Sequence, residues 1–178
     1  MPDEVFTQLV DAHYAALYRF AVSLTRSESD ASDLTQQTFY IWATKGHTMR
    51  DVAKAKTWLF TTLYREFIRA RRRGQRMSSL EDLPSGDQDP PDVAVDQVAR
   101  MDHEVVLEAM QEIDPVFRAV LTLFYLKDLT YQEIANIIEV PIGTVMSRLS
   151  RAKAHLRTAL ARRLQGGKLV EFPQSQAQ

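Results

Sequence analysis

Residues 130–156, TYQEIANIIEVPIGTVMSRLSRAKAHL, leave few options for how this chain folds. Thr130 and Glu133 have the spacing of a capping box, in which a hydroxyl and a carboxylate each satisfy a backbone N–H at a helix start. Ile134, Ile137 and Ile138 then fall on one helical face. Val140 precedes Pro141 and is pushed out of the α region, so Glu139-Val140-Pro141 ends this first helix. Gly143 is expected to supply backbone freedom at the tight turn. A second helix follows, with Val145, Leu149, Ala152 and Leu156 along one side. Ser147, Ser150, Arg151 and Ala154 lie on the other, flanked by Arg148 and Lys153. The pattern is a helix-turn-helix. Small and polar outward side chains let such a helix enter a major groove, while flanking cations hold phosphates on either wall. Residues 141–168 carry seven Lys or Arg and no Asp or Glu. The solvated face of an ordinary helical hairpin mixes signs, so a one-sign stretch points to a polyanionic partner.

The 178 residues suffice for one domain or two small ones. Net charge is −1, but acid and base are segregated along the chain. The absence of cysteine excludes disulfides and thiolate metal sites. No apolar run approaches the roughly 18 residues of a membrane span and no signal peptide is evident, so no membrane insertion and a cytoplasmic location are expected. His13, His47, His103 and His155 lack metal-ligand spacing, and no Gly-rich phosphate loop or nucleophile elbow occurs. Neither a metal, a cofactor nor an enzymatic activity is therefore expected.

Helical periodicity begins with Val5, Phe6, Leu9, Val10, Tyr14, Leu17, Tyr18, Ala21 and Leu24, before a polar break at 27–30. A second helix is expected from about Ala31 to Lys45, with Gly46 as terminator. Leu34, Thr38 and Ile41 share one of its faces, whereas Phe39 and Tyr40 point away and Trp42 sits at the edge. A helix apolar on more than one face is deeply buried or has a partner, and a protein-docking surface is the expectation here. After a loop, GHTMRDVAKAK, with a mildly basic end, a third helix has Phe60, Leu63 and Phe67 as its core face. Nearly opposite run Trp58, Thr62, Arg65, Arg69 and Arg72, a stripe without acids that suits phosphates and unpaired bases. Tying these arginines up in internal ion pairs, away from any groove, would reduce the case to that of a generic duplex binder.

Residues 75–104 hold eight acids and two bases, are rich in Pro, Gly, Ser and Asp, and are a linker by composition. Helix resumes from about Asp102, and Asp114-Pro115 restarts it with aspartate as N-cap and proline in the first turn. VFRAVLTLFYL supplies the helix that packs under the helix-turn-helix, and the end, GGKLVEFPQSQAQ, is a frayed tail.

DASDLTQQTF, KTWLFTTLYREFIRARRR and IDPVFRAVLTLFYLKDLTYQEIANIIEVPIGTVMSRLSRAKAHL occur in the order seen in bacterial RNA polymerase sigma factors of the extracytoplasmic-function (ECF) type, which the chain resembles over nearly its whole length. The resemblance implies an all-α fold of two small helical domains joined by an acidic linker. Residues 1–74 would be sigma region 2, 75–104 the linker, 105–165 region 4 and 166–178 the tail. It implies core RNA polymerase and promoter DNA as partners, with an anti-sigma factor as a further candidate, and no chemistry by the protein itself. Polymerase contact would involve Asp33, Leu34, Gln36, Gln37, Phe39 and Trp42. The −10 element, with a base leaving the stack, would meet Lys54, Lys56, Trp58, Thr62, Arg65, Arg69, Arg72 and Arg73. The −35 element would meet Tyr131, Gly143, Thr144, Met146, Ser147, Arg148, Ser150, Arg151 and Lys153. The acidic linker would thread the polymerase channel.

The chain departs from the family pattern at Gln37 and Ser32, where acids are usual, and at Arg65 and Arg69, where Asn and Asp are frequent. Met146 and Phe124 replace usual cations. Phosphate on Ser32 or Thr35 would restore an acidic docking face. The alternative is a stand-alone helix-turn-helix regulator that binds palindromic duplex as a dimer. That alternative leaves the Trp58–Arg72 stripe and the second helix without a role.

Overall fold

The computed structural model describes residues 2–45, 54–74, 103–125 and 129–166. Among the described residues there are seven α-helices and no strand. They are α1 (Pro2–Thr25), α2 (Glu28–Lys45), α3 (Ala55–Gly74), α4 (His103–Gln111), α5 (Pro115–Tyr125), α6 (Tyr131–Ile138) and α7 (Ile142–Gly166). The expected terminator Gly46, most of the basic loop, nearly all of the acidic linker and the tail lie outside the described residues.

The sequence explains most helix ends. The expected polar break at 27–30 contracts to two residues: Arg26 takes a left-handed φ of 61°, and the Ser27 hydroxyl accepts from the Asp30 N–H at 3.2 Å. Such a side-chain acceptor replaces one of the bonds a first turn lacks, so α2 starts at Glu28, earlier than periodicity suggests. Asp114 caps α5 as expected, its Oδ1 accepting from the Val116 N–H at 2.9 Å. Both arms of the Thr130–Glu133 capping box are formed, with Thr130 N–H to Glu133 at 2.6 Å and Glu133 N–H to Thr130 at 3.2 Å.

The first three helices pack together, α1 against both α2 and α3, and α2 against α3. Leu17, Phe20, Ala21 and Leu24 from α1 meet Leu59, Phe60, Leu63 and Phe67 from α3 in the shared core. The α2 expectation needs correction here. Phe39 and Trp42 are core residues, 6% and 7% exposed, and not a docking surface. Phe39 meets Phe6 and Tyr14 of α1, with ring centroids 6.2 Å away in each case, while Trp42 stands edge-on to Trp58 of α3 at 5.0 Å. A helix between two neighbours needs two apolar faces, which accounts for the unusual pattern. Tyr40 does point outward, at 65% exposure.

In the second half, α5 is buried along much of its length and packs on α6 and α7, while α4 packs on α7. The two halves also meet. Helix α1 lies against α5, and α3 against α6, so one apolar core runs through the described residues. Arg26 Nη2 donates to the Ile113 carbonyl across this boundary at 3.2 Å.

Candidate nucleic-acid interface

Helices α6 and α7 form the helix-turn-helix. Ile134, Ile137 and Ile138 are buried, as are Val145, Leu149, Ala152 and Leu156. The expected seam is therefore the real one, and it fixes which face of α7 looks outward. The turn is built differently from the expectation. Gly143 lies within α7, has no positive φ, and a Cβ there would meet nothing within 4 Å. Glu139 carries the left-handed conformation instead, with φ 58° and ψ 48°, and its N–H bonds the Ala135 carbonyl. The Pro141 carbonyl then accepts from Thr144 and Val145 to begin α7. Proline at this position lets the chain re-enter a helix without an N–H of its own to satisfy.

On the outward side, Gly143, Met146 and Ser147 are exposed, Met146 at 54%. Thr144, Arg148, Ser150, Arg151 and Lys153 are half-buried along the same helix, and Tyr131 stands exposed at the start of α6. Lys153 places its ammonium 5.0 Å from the centre of the Phe124 ring, which also stacks on Tyr131 at 5.8 Å. Phe124 thus supports a cation of the same surface. The basic stretch divides in two: at the far end of α7, Arg162 and Arg163 bind Glu112, and Arg163 also binds Glu108, so this end anchors α4. His155 packs its ring against Phe117 at 5.3 Å.

The α3 stripe is less uniform than its spacing implies. Thr62 is buried at 8% exposure and faces the core, so it is withdrawn from the surface. Trp58 is half-buried against Trp42 and is a packed ring rather than an open stacking platform. Arg65 makes a two-pronged ion pair with Glu139 of the helix-turn-helix turn, one prong Nε to Oε2 at 2.9 Å. Arg69 pairs with Glu66 at 2.5 Å, three residues back along α3. The acids missing from the stripe thus come from its own next row and from the other half of the chain. Both arginines nevertheless remain on the surface, with side chains 52% and 66% exposed. Arg72 and Arg73 are exposed, Lys54 is exposed and Lys56 is half-buried at the start of α3.

The Arg65 bond holds the Glu139 carboxyl below the usual carboxylate range and raises the Arg65 guanidinium in turn. Glu133 is also held low, chiefly by the Thr130 backbone N–H. Burial raises the Tyr64 phenol, opposed by the positive charges of Arg148 and Arg71.

On α2, Asp33, Gln36 and Gln37 are exposed and Leu34 is half-buried, whereas Phe39 and Trp42 are unavailable. Tyr40, expected to point away from the Leu34 face but absent from the expected polymerase-contact set, belongs with Asp33, Gln36, Gln37 and Thr44, which follow helical spacing and are exposed. Thr35 has no exposed surface and its hydroxyl donates to the Ala31 carbonyl at 2.7 Å, which removes it as a phosphate acceptor. Ser32 is half-buried and accepts from Gln36. Among the described residues no group of three His, Cys, Asp or Glu could hold a metal ion, and no helix is long and apolar enough to cross a membrane.

Comparison with known proteins supplies an independent line. The family model described as Sigma-70 region 2 matches residues 9–77, and that described as Sigma-70, region 4 matches residues 103–156. The chain is 32% identical over 161 residues to the ECF RNA polymerase sigma factor SigE of Mycolicibacterium smegmatis, covering 87% of this chain and 61% of that longer protein. It is 32% identical over 143 residues to the ECF RNA polymerase sigma factor SigM of Bacillus subtilis, covering 79% and 86%. Among solved structures, the sigma factor RpoE of Bartonella quintana, crystallised with the anti-sigma factor NepR, matches with a TM-score of 0.66 and 28% identity, covering 88% of this chain and 96% of that one.

Proposed function

Because the chain belongs to the RNA polymerase sigma factors of the ECF type, we propose that it binds core RNA polymerase and directs it to promoters through two separate surfaces. The observation that carries this reading is the α7 geometry. Val145, Leu149, Ala152 and Leu156 are locked into the core, which leaves Met146, Ser147, Ser150 and Arg151 to face a −35 major groove. Tyr131, Thr144, Arg148 and Lys153 flank that strip and suit phosphate contacts, while the exposed Gly143 backbone permits close approach.

The −10 surface comprises Lys54, Lys56, Arg65, Arg69, Arg72 and Arg73. Arg65 must leave Glu139 before it can reach DNA, and Trp58 contributes by supporting the helix from its packed position against Trp42. Asp33, Gln36, Gln37 and Tyr40 form the polymerase-docking face of α2, with Leu34 at its edge. Residues 1–74 and 105–165 act as the two functional parts, and 75–104 is the acidic connector. The protein makes and breaks no bond; the polymerase supplies the chemistry, and the site of action is therefore cytoplasmic. An anti-sigma protein is a fitting regulatory partner.

The test is transcription in vitro with purified protein, core polymerase and genomic DNA, with mapping of start sites. New start sites that share spaced −35 and −10 sequences are expected. Binding to duplex in the absence of polymerase, with no new start site, would instead favour a stand-alone regulator.

A further inference from the structure

A cleft of about 710 Å³ lies where the corner between α1 and α2, the end of α3 and the start of α5 meet. Four guanidinium groups line it, those of Arg26, Arg71, Arg73 and Arg118. Arg118 has no exposed surface. Its Nη1 donates to the side chain of Gln111 at 3.1 Å and to the Gln111 and Met110 carbonyls at 3.3 and 3.5 Å. Its Nε and Nη2 are buried with no hydrogen-bond partner among the described residues, and the same holds for Nη1 of Arg71. Charged donors buried in this way are costly unless an acceptor reaches them.

The surroundings add to that cost. Burial lowers the Arg118 guanidinium to about 10, with the positive charges of Arg26 and Arg71 contributing and Asp114 opposing. It stays a cation at neutral pH. Asp114 is already engaged, accepting from the Val116 N–H at 2.9 Å and lying 3.7 Å from Arg71. Asp30 and Asp33 line the cleft from α2, and Glu66 lines it from α3 while held by Arg69. The charges that act on Arg118 are therefore two cations, Arg26 and Arg71, and one carboxylate, Asp114, that is already engaged.

We propose that this cleft binds a small phosphate-bearing anion, with Arg118 and Arg71 donating to its oxygens and Arg26 closing over it. A planar guanidinium matches two phosphate oxygens at once, and the orphaned donors belong to the groups that would make those bonds. Leu34 and Phe67 give the cleft an apolar wall for the rest of a ligand. Arg26 and Arg71 belong to the first half of the chain and Arg118 to the second, so a bound anion ties the halves together. The ligand would thereby stabilise the arrangement in which α3 rests on α6. The proposed donors Arg26, Arg71 and Arg118 belong to neither DNA-reading surface, whereas Arg73, which also lines the cleft, belongs to the −10 surface, so the test varies only Arg26 and Arg118 and reads binding without promoter DNA.

The full chain is titrated with inorganic pyrophosphate at constant ionic strength, against chloride, by calorimetry and by thermal unfolding. Saturable binding and a rise in unfolding midpoint are expected, with orthophosphate weaker. Arg118→Met and Arg26→Gln should each lose at least about tenfold in affinity, as expected for removing a charged hydrogen-bonding group, while Arg162→Gln at the far end of α7 should bind like wild type. If Arg118→Met fails to fold by circular dichroism, the exposed Arg26 decides the matter. A nucleoside triphosphate that binds more tightly than pyrophosphate would identify a nucleotide as the ligand, and equal binding would identify the phosphate group alone. A non-saturating response matched by chloride, or unchanged affinity in folded Arg26→Gln and Arg118→Met, overturns the proposal.

Discussion

Substituting Glu139→Gln tests the contact that sets the DNA-facing surfaces against each other. Glutamine preserves the size of the side chain, and the change removes the charge that holds Arg65 in its two-pronged pair. Both partners are about half exposed, 52% and 48%, so the pair belongs with surface ion pairs. Exposed pairs contribute about 0.2–1 kcal/mol, which corresponds to a shift of about 1.4- to 5-fold toward separated halves. The chain has no cysteine of its own, so Thr44→Cys and Ala161→Cys would place single dyes on exposed positions of α2 and α7. Energy transfer between them then reports the population in which α3 has left α6. The increase in separated molecules should be largest at low salt and shrink as salt screens the pair. The Glu139 carboxyl is lowered by Arg65, so the contribution of the pair is fully present above the ordinary glutamate value and fades as pH falls through the lowered one. Glu139→Gln should lose that acid limb. A double-mutant cycle with Arg65→Gln should show the two changes to be non-additive. An unchanged transfer efficiency at low salt, or fully additive effects, would refute the latch.

Other expectations follow from burial and capping. Leu149→Ala should cost about 2–5 kcal/mol in urea unfolding because it empties part of the α5–α7 core. By contrast, the exposed Met146→Ala should stay within about 0.5 kcal/mol while altering −35 preference in a binding assay. Thr130→Ala should cost about 0.5–2 kcal/mol through loss of the α6 cap. Its effect on the acid limb should be small, because the Thr130 backbone N–H that chiefly holds the Glu133 carboxyl low is kept in alanine, so that contribution is still present above the ordinary glutamate value and still fades as pH falls through the lowered one. Arg72→Ala with Arg73→Ala should weaken capture of promoter single strand by holoenzyme and reduce the salt slope by about 0.7 for each phosphate no longer neutralised. An unchanged slope would remove the end of α3 from the −10 surface.

The parts of the site that were legible in the chain are those governed by neighbours within a turn or two. The capping box, the break before Pro141 and the seam from Val145 to Leu156 depend on spacing alone, and all are present in the fold. The same rule failed where a local pattern has two physical solutions. Gly143 is able to take a left-handed turn, but the chain placed that conformation at Glu139, where the side chain also reaches Arg65. The two apolar faces of α2 are compatible with a partner protein or with burial, and the length of α1 together with the return of α3 decided for burial of Phe39 and Trp42.

By itself the sequence determined which helices form, where several of them start and which face of α7 must be buried, because hydrophobic periodicity and capping act over a few residues. Tertiary structure decided which charges meet. Glu139 lies 74 residues from Arg65, and the Ile113 carbonyl lies 87 from Arg26, so no spacing rule connects them. The same holds for the cleft around Arg118, whose guanidinium neighbours come from the α1–α2 corner and from α3. Packing of the halves brings these like charges together, since burial of the shared apolar core outweighs their repulsion.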